Sequence, residues 1–269
     1  VGVIGLALAR PQWGEEPQRE TQLQGEDIVF AVDCSRSMLA ADVTPSRLER
    51  AKLAIQNFIQ NHRDGRVGLV AFAGQAFLQC PLTPDHDAFR DALAAMNERT
   101  IPVAGTDIGR ALDEAYRAMD KKAPRKVVVL ITDGEDTASE HTLTDAINIA
   151  LRSETVVFVI SNKAAGFFGV QAGQVDSAED KNLKKLAEDT GGRAFFTGTT
   201  LQLEKGFASV TQELRSQYII AYSPSNINFD GRFRQIEVRV PGKKDMKIRT
   251  RKGYEARDSS GPAAVAKPN

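Results

Sequence analysis

Three loops of this chain carry hydroxyl and carboxylate side chains whose types and spacing could bind one cation. The side chains are those of Asp33, Ser35, Ser37, Thr106 and Asp133. Oxygen ligands of this kind suit a hard divalent cation such as Mg²⁺ or Mn²⁺. Because serine and threonine hydroxyls are neutral, weak donors, a metal held by them keeps much of its positive charge. An open coordination position on that metal would attract a carboxylate from another molecule.

These loops lie where strands end and a helix begins in the predicted fold. Residues 27–33 (DIVFAVD) and 126–132 (KVVVLIT) are apolar runs that predict strands buried on both faces, and an aspartate stands at the carboxyl end of each. Residues 104–107 precede a helix that starts near Ile108. In a parallel sheet, ligands bind beyond the carboxyl ends of the strands, so we expect the three loops to converge on one crevice.

The alternation of strand and helix patterns over residues 26–216 predicts an α/β domain. Its doubly wound, mostly parallel sheet would have six strands, flanked by helices in a Rossmann-like arrangement. The predicted strands cover 27–33, 66–73, 76–80, 126–132, 155–160 and 192–197. Apolar side chains at helical spacing predict helices around 48–59, 108–119, 143–151, 183–187 and 203–214.

After residue 216 the pattern becomes that of an antiparallel β extension, which we place at 217–256, and we expect 257–269 to be a disordered tail. Strands are predicted there at 217–222, 236–240 and 246–250. Only a few residues separate the last helix of the α/β domain from this extension. We therefore expect the extension to restrain that helix.

Charge and cysteine content exclude several classes of protein. Lys+Arg and Asp+Glu both number 35, so the zero net charge argues against nucleic-acid binding. Locally, residues 232–252 carry nine Lys or Arg against two acids, which predicts a solvated face or contact with anionic lipid headgroups. Two cysteines exclude a disulfide scaffold. We expect Cys34 to be an apolar filler, with a redox role or a disulfide to Cys80 as alternatives.

The pattern Asp33-x-Ser35-x-Ser37, together with Thr106 and Asp133, resembles the metal-ion-dependent adhesion site of von Willebrand factor type A domains. The resemblance covers the whole predicted α/β domain. It implies that the three hydroxyls bind Mg²⁺ or Mn²⁺ directly and that the two aspartates act mainly through waters. It also implies a protein ligand that supplies an acidic side chain to the metal.

Two further stretches resemble bacterial members of that family. Residues 7–14 (ALARPQWG) resemble the juxtamembrane segment of Bat-type aerotolerance proteins, whereas 214–218 (LRSQY) and 251–254 (RKGY) resemble the tail of the acidobacterial class. The two resemblances point to different subfamilies, and the tail favours the second. Both imply a membrane-anchored protein of the bacterial cell envelope, periplasmic or extracytoplasmic, and the first implies a MoxR-type ATPase system as a candidate partner.

Residues 1–25 are interpreted as the tail of a truncated membrane anchor and a linker. Residues 1–9 are apolar and uncharged, and Arg10 and Trp13 follow like the interfacial anchors of a membrane helix. Nine residues are too few to span a bilayer, which needs about 20. A short edge strand or a disordered start is the alternative.

We therefore expect a non-enzymatic, metal-dependent protein-binding module that acts in adhesion or assembly. The first alternative is a metal-dependent phosphoesterase with Asp33 or a serine as nucleophile, although the motif loops contain no lysine to stabilise a phosphate. The second alternative is a scaffold whose metal only stabilises the fold. Phe167 and Phe168, in a loop expected on the metal side, predict either a partner-binding lip or lid packing.

Overall fold

The computed structural model places six strands in one mixed sheet. The structure describes residues 26–40, 44–62, 65–120, 123, 125–134, 138, 142–163, 177–218, 220, 222, 224–226, 228–242 and 248–256. The strands are β1 Asp27–Asp33, β2 Arg66–Phe72, β3 Ala76–Thr83, β4 Lys126–Thr132, β5 Thr155–Ser161 and β6 Ala194–Phe196. They lie in the order β3-β2-β1-β4-β5-β6, in which β3 is antiparallel to β2 and the other neighbours are parallel.

Helices cover both faces of this sheet. They are α1 Arg47–Asn61, α2 His86–Ala95, α3 Ile108–Ala118, α4 Leu143–Arg152, α5 Ala178–Asp189 and α6 Thr200–Ser216, and a 3-10 helix spans Arg36–Leu39. Side chains of α1, α2 and α6 share one core cluster with Phe30 of β1. Those of α3, α4 and α5 share the other with Val29 and Ala31. Because successive strand residues point to opposite faces, β1 is buried on both.

The predicted α/β fold is confirmed, with three local differences, of which one is that β6 spans only Ala194–Phe196 of the predicted 192–197. β3 continues to Thr83, three residues beyond its predicted end. The helix α2 was not predicted. Only two of its side chains, those of Phe89 and Leu93, are buried apolar residues, and two positions are too few to show the apolar spacing of a helix. The carboxylate of Asp85 caps α2 by accepting hydrogen bonds from the next backbone N–H groups, those of residues 87 and 88.

The C-terminal extension forms a separate two-stranded antiparallel sheet, although not with the predicted strands. β7 Phe233–Gln235 pairs with β8 Gly253–Glu255. Residues 236–240, and the described residues of 217–222 and 246–250, are not in strands, so these three predictions are wrong. Alternation alone misplaced the strands because it does not specify which segments can approach each other.

Gly253 allows the backbones of β7 and β8 to approach each other closely. A Cβ at Gly253 would lie 2.3 Å from the carbonyl oxygen of Arg234 and 2.4 Å from the ring of Phe233. Any larger residue would therefore separate β7 from β8 at their point of closest approach. Gly253 therefore permits this pairing, which hydrophobic alternation does not predict.

Residues 249–255, which we call the strap, cross from the extension onto the α/β domain. Three basic side chains of the strap pair with acidic groups of that domain. The pairs are Arg249–Glu213 at 2.7 Å, Arg251–Glu154 at 3.0 Å and Lys252–Asp189 at 2.5 Å. The backbone N–H of Lys252 also donates to the carbonyl of Asp189, 3.1 Å away. Since Glu213 belongs to α6, the strap contacts the helix that the sequence predicts to be restrained.

These pairs change the interpretation of the basic segment 232–252. Each Lys or Arg that the structure describes in this segment lies within 4 Å of a carboxylate, three of them within the extension and three across to the α/β domain. Much of the local positive charge is therefore compensated inside the protein. This arrangement disfavours the described basic residues as a surface for anionic lipid.

Replacing Gly191 with alanine is expected to detach the strap. Gly191 has a φ of +90°, and a Cβ there would lie 2.8 Å from the backbone nitrogen of Arg251. Gly242 has a similar φ of +79° with nothing within 4 Å, so Gly242→Ala is the matched control for backbone strain alone. We expect Gly242→Ala to lower the free energy of unfolding by about 1 kcal/mol and Gly191→Ala by about 2–3 kcal/mol in urea denaturation. Equal losses would mean that the strap contributes no stability.

Some predictions fall outside the described residues. These are the anchor tail and linker at 1–25, the tail at 257–269, and the two phenylalanines at 167 and 168. Within the described segments, none of the helices is both long and apolar enough to cross a lipid bilayer.

Candidate metal site

The candidate site lies at the carboxyl edge of the parallel strands. β1 and β4 are hydrogen-bonded neighbours that end together, and Val32 is paired with Ile131 just before the two aspartates. Beyond these ends, the backbone of Cys34 donates to the Phe72 carbonyl at 2.7 Å. The sheet register therefore brings the loops that begin at 33 and 133 side by side.

Asp33 is a fully buried carboxylate held by two hydrogen bonds. Its Oδ1 accepts from the backbone N–H of Ser35, and its Oδ2 accepts from the hydroxyl of Thr132, both at 2.8 Å. Burial raises the pKa of Asp33 to about 7, with a smaller increase from nearby Asp133, although the hydrogen bonds from Ser35 and Thr132 lower it. A cation beside this carboxylate would offset the free-energy cost of its buried charge.

The two serine hydroxyls lie next to each other. The Oγ atoms of Ser35 and Ser37 are 2.9 Å apart, and Ser35 is buried whereas Ser37 is half-buried. Met38, within the 3-10 helix that follows Ser35, is fully buried in the core. This anchor fixes the loop on the core while its hydroxyls stay at the edge of the sheet.

The loop that carries Thr106 is tied to both neighbouring loops. Gly74 donates its N–H to the Val103 carbonyl at 3.1 Å, and Asp107 donates its N–H to the Ala73 carbonyl at 2.7 Å. The carbonyl of Thr106 accepts from the backbone of residue 138, which lies in the loop that follows Asp133. Thr106 itself is buried. Its loop is thus positioned by the β2–β3 turn and by the third loop of the site.

Asp133 is the second buried carboxylate, and its two oxygens differ. Oδ2 accepts from Nη1 of Arg47 at 3.0 Å, as a salt bridge. Oδ1 is buried and has no hydrogen-bond partner among the described residues. A buried carboxylate oxygen without a partner is costly. Together with the hydroxyl donors, this oxygen fits a divalent cation.

The structure therefore places all five predicted residues on the converging loops, and it links four of them by direct contacts or charge proximity. The loop of Thr106 is joined to the site by backbone contacts. Among the described residues, no three His, Cys, Asp or Glu side chains form a metal-binding group. The candidate donor set has two carboxylates and three hydroxyls, so a search for three such side chains does not test it.

Three contributors to the site were missed from the sequence. Thr132 holds Asp33 through its hydroxyl, Arg47 binds Asp133, and the amide of Asn162 donates to the Arg47 carbonyl at 2.8 Å. One signal pointed to Arg47: a basic residue in the first turn of a helix is disfavoured by the helix dipole, which suggests an acidic partner nearby.

The cysteines behave as apolar fillers. Cys34 and Cys80 are both buried and free, so the alternative of a disulfide between them is wrong for this structure. Burial, and to a lesser degree the charge of Asp33, raises the pKa of the Cys34 thiol to about 12. A thiol that stays protonated is a poor nucleophile, which disfavours the redox alternative.

Gly74 provides a test of loop positioning that leaves all five candidate ligands intact. A Cβ at Gly74 would lie 2.3 Å from the carbonyl oxygen of Ala104, two residues before Thr106. We expect Gly74→Ala to displace this loop and to weaken Mg²⁺ binding at least about tenfold in calorimetric titration, since site geometry must hold within about 0.5 Å. Gly231→Ala, where nothing lies within 4 Å of the added Cβ, is the control. Unchanged affinity in Gly74→Ala would show that the loop around Thr106 does not contribute to binding.

Comparison with protein families and curated proteins gives a consistent result. Residues 28–135 match the family model described as von Willebrand factor type A domain. A UPF0353 protein from Mycolicibacterium paratuberculosis is 27 % identical over 230 residues, which cover 79 % of this chain and 67 % of that protein. Another, from Mycobacterium avium, is 27 % identical over 205 residues, covering 70 % of this chain and 60 % of that protein. The match thus spans about two thirds or less of these relatives.

Solved structures agree with the sequence matches. An aerotolerance-related membrane protein from Bacteroides fragilis is 26 % identical, with a TM-score of 0.59, over 72 % of this chain and 100 % of that one. The protein BatB from Bacteroides thetaiotaomicron is 26 % identical, with a TM-score of 0.57, over 71 % and 100 %. A von Willebrand factor type A protein from Catenulispora acidiphila, 22 % identical with a TM-score of 0.53 over 70 % and 42 %, shares the fold.

Proposed function

Because this chain contains a von Willebrand factor type A domain, we propose that it is a non-enzymatic binding module that holds Mg²⁺ or Mn²⁺ and captures a protein ligand through the metal. Domains of this family are in general protein-interaction modules. The observation that carries the metal-dependent form is the pair of buried carboxylates, Asp33 and Asp133, of which the second has an oxygen without a hydrogen-bond partner among the described residues.

In this proposal the hydroxyls of Ser35, Ser37 and Thr106 bind the metal, and the two aspartates compensate its charge directly or through waters. When bound, the ion would supply a Lewis-acidic centre that could accept an outside ligand. Since three of the five candidate groups are neutral, the metal keeps enough positive charge to attract an acidic side chain of a partner protein. The partner is therefore expected to present an essential Asp or Glu.

The proposed location is the bacterial cell envelope, on the periplasmic or extracytoplasmic side, with the membrane anchor preceding the domain. Support comes from the likeness to the aerotolerance-related membrane protein of Bacteroides fragilis and to BatB. A MoxR-type ATPase system is the candidate partner on the same ground of resemblance. The acidobacterial resemblance of the tail remains a prediction.

His62, Arg47 and Asp33 do not favour the phosphoesterase alternative. The imidazole of His62 contacts Glu26, which precedes β1 at the end opposite to the site. Arg47 brings a cation to the site, but its guanidinium is bound to Asp133. Asp33 accepts hydrogen bonds through both carboxylate oxygens, which makes it a poor nucleophile.

The test uses Mn²⁺ as a paramagnetic probe on the chelator-treated protein. Mn²⁺ should bind with retained water, seen as enhanced water-proton relaxation. A short peptide that contains glutamate should displace this water, whereas the same peptide with glutamine should not. Binding of Mn²⁺ without displacement would favour a purely structural metal. Mg²⁺-dependent turnover of p-nitrophenyl phosphate that Asp33→Asn abolishes would favour the phosphoesterase, and absence of Mn²⁺ binding would contradict the proposal.

A further inference from the structure

We propose that Arg47 is an internal counter-cation that competes with the metal ion for Asp133. Its guanidinium lies 3.0 Å from Oδ2 of Asp133, and the two side chains are 15 % and 2 % exposed. Without a bound metal, Arg47 would be the cation that compensates this buried negative charge, and a metal would have to share Asp133 with it. This inference rests on the proposed metal function of the same site.

Hydrogen bonds on both sides of Arg47 fix its backbone beside the site. Arg47 is the first residue of α1, directly after the N-cap Ser46, whose hydroxyl accepts from the backbone of Glu49 at 3.2 Å. On its carboxyl side, the Arg47 carbonyl accepts from the amide of Asn162, a buried residue that directly follows β5. Two anchors from different parts of the chain therefore hold this backbone against the strand ends.

The charge balance at this position also requires an acidic partner. The N-terminus of α1 carries partial positive charge, which disfavours a cation in the first turn. The pairing with Asp133 offsets this cost, because charge-assisted bonds in a buried setting are among the stronger hydrogen bonds. Buried Asp133 in turn would hold an uncompensated charge without Arg47 or a metal. Arg47 and the metal ion would thus compensate the charge of the same carboxylate, that of Asp133.

The competition has a predictable size. A metal coordinated to Asp133, directly or through a water, would lie within several ångströms of the guanidinium, and like charges at such distances repel strongly even at an effective dielectric constant of about 20. Removal of the Arg47 charge should therefore raise Mg²⁺ affinity on the order of 10- to 100-fold. If Arg47 instead only orients Asp133 for the metal, its removal should lower that affinity.

The experiment measures metal-free stability and Mg²⁺ affinity together in the full chain. Arg47→Gln should lower the melting temperature of the chelator-treated protein and should bind Mg²⁺ more tightly in calorimetric titration. Arg47→Lys keeps the charge and should stay near the wild type in both measurements. Arg117→Gln, which breaks an exposed pair with Asp113, is the matched control and should change neither. Arg47→Met replaces the glutamine variant if that variant does not fold.

The outcomes separate this inference from the proposed function. Equal or weaker Mg²⁺ binding by Arg47→Gln overturns the competition, even if the wild type binds metal. Binding by Arg47→Gln but not by the wild type supports the competition and contradicts a metal-dependent function of the native protein. Absence of binding in both overturns both. A lower metal-free melting temperature that Asp133→Asn restores in the double variant supports the counter-cation, and an unchanged melting temperature contradicts it.

Discussion

Asp33→Asn is expected to weaken Mg²⁺ binding by at least about a hundredfold while the domain remains folded. The substitution removes one of the two carboxylate charges at the site and keeps the shape of the side chain. It also removes a buried carboxylate whose pKa burial raises to about 7, which favours the variant, but it replaces one of two hydrogen-bond acceptors with an NH₂ donor. We therefore expect the metal-free variant to remain folded near neutral pH, with a stability close to that of the wild type. Calorimetric titration gives the affinity, and urea denaturation after chelation gives the stability.

The control for this substitution is Asp113→Asn on α3, which breaks the ion pair with Arg117 and changes none of the five candidate ligands. It should leave Mg²⁺ binding unchanged. The assignment of the site fails if Asp33→Asn binds Mg²⁺ as tightly as the wild type does. A variant that neither folds nor binds would instead show that Asp33 is needed for the fold, and Ser35→Ala would then take its place in the titration.

Glu26→Ala is expected to lower the free energy of unfolding by about 3 kcal/mol without affecting metal affinity. The buried carboxylate of Glu26 makes ion-pair contacts with the imidazole of His62 and, at 2.9 Å, with the guanidinium of Arg125. Removing it leaves two basic groups without their shared partner in a largely buried place. We expect a loss at the lower end of the range for broken buried ion pairs, because Arg125 remains 23 % exposed.

The separation of the two ends of β1 makes this prediction specific. Glu26 precedes β1 and Asp33 ends it, which puts them about 20 Å apart for an extended strand. Glu237→Ala, which breaks the exposed pair with Arg239, is the control and should cost less than about 1 kcal/mol in the same urea titration. A loss of Mg²⁺ affinity in Glu26→Ala that exceeds the control would contradict the independence of the two ends.

The α/β fold was predictable because its strands are buried on both faces. An apolar run such as VVVLI in β4 indicates a strand that is buried on both faces of a sheet. The neighbouring helices show the apolar stripes that cover those faces. The five candidate metal ligands were predictable for a related reason. They stand directly after strands or before a helix, where local sequence and sheet geometry specify the position together.

The remainder depended on contacts between distant parts of the chain. Arg47 and Asp133 are 86 residues apart, and Arg251 and Glu154 are 97 apart, so local sequence does not identify the partner in either pair. The strands of the extension show the same limit. Alternating residues at 236–240 fit a strand, but the pairing occurs at Gly253, where the absence of a side chain lets the two backbones meet.

The strap also has a consequence for the rates of folding and unfolding. Its acidic partners Glu154, Asp189 and Glu213 lie in the α/β domain, which precedes the strap in the chain and leaves the ribosome first. Contacts that form after the rate-limiting step slow unfolding and leave the folding rate almost unchanged. We therefore expect the contacts of the strap to form late in folding and to slow unfolding, which prolongs the lifetime of the native state at high temperature and in the presence of proteases.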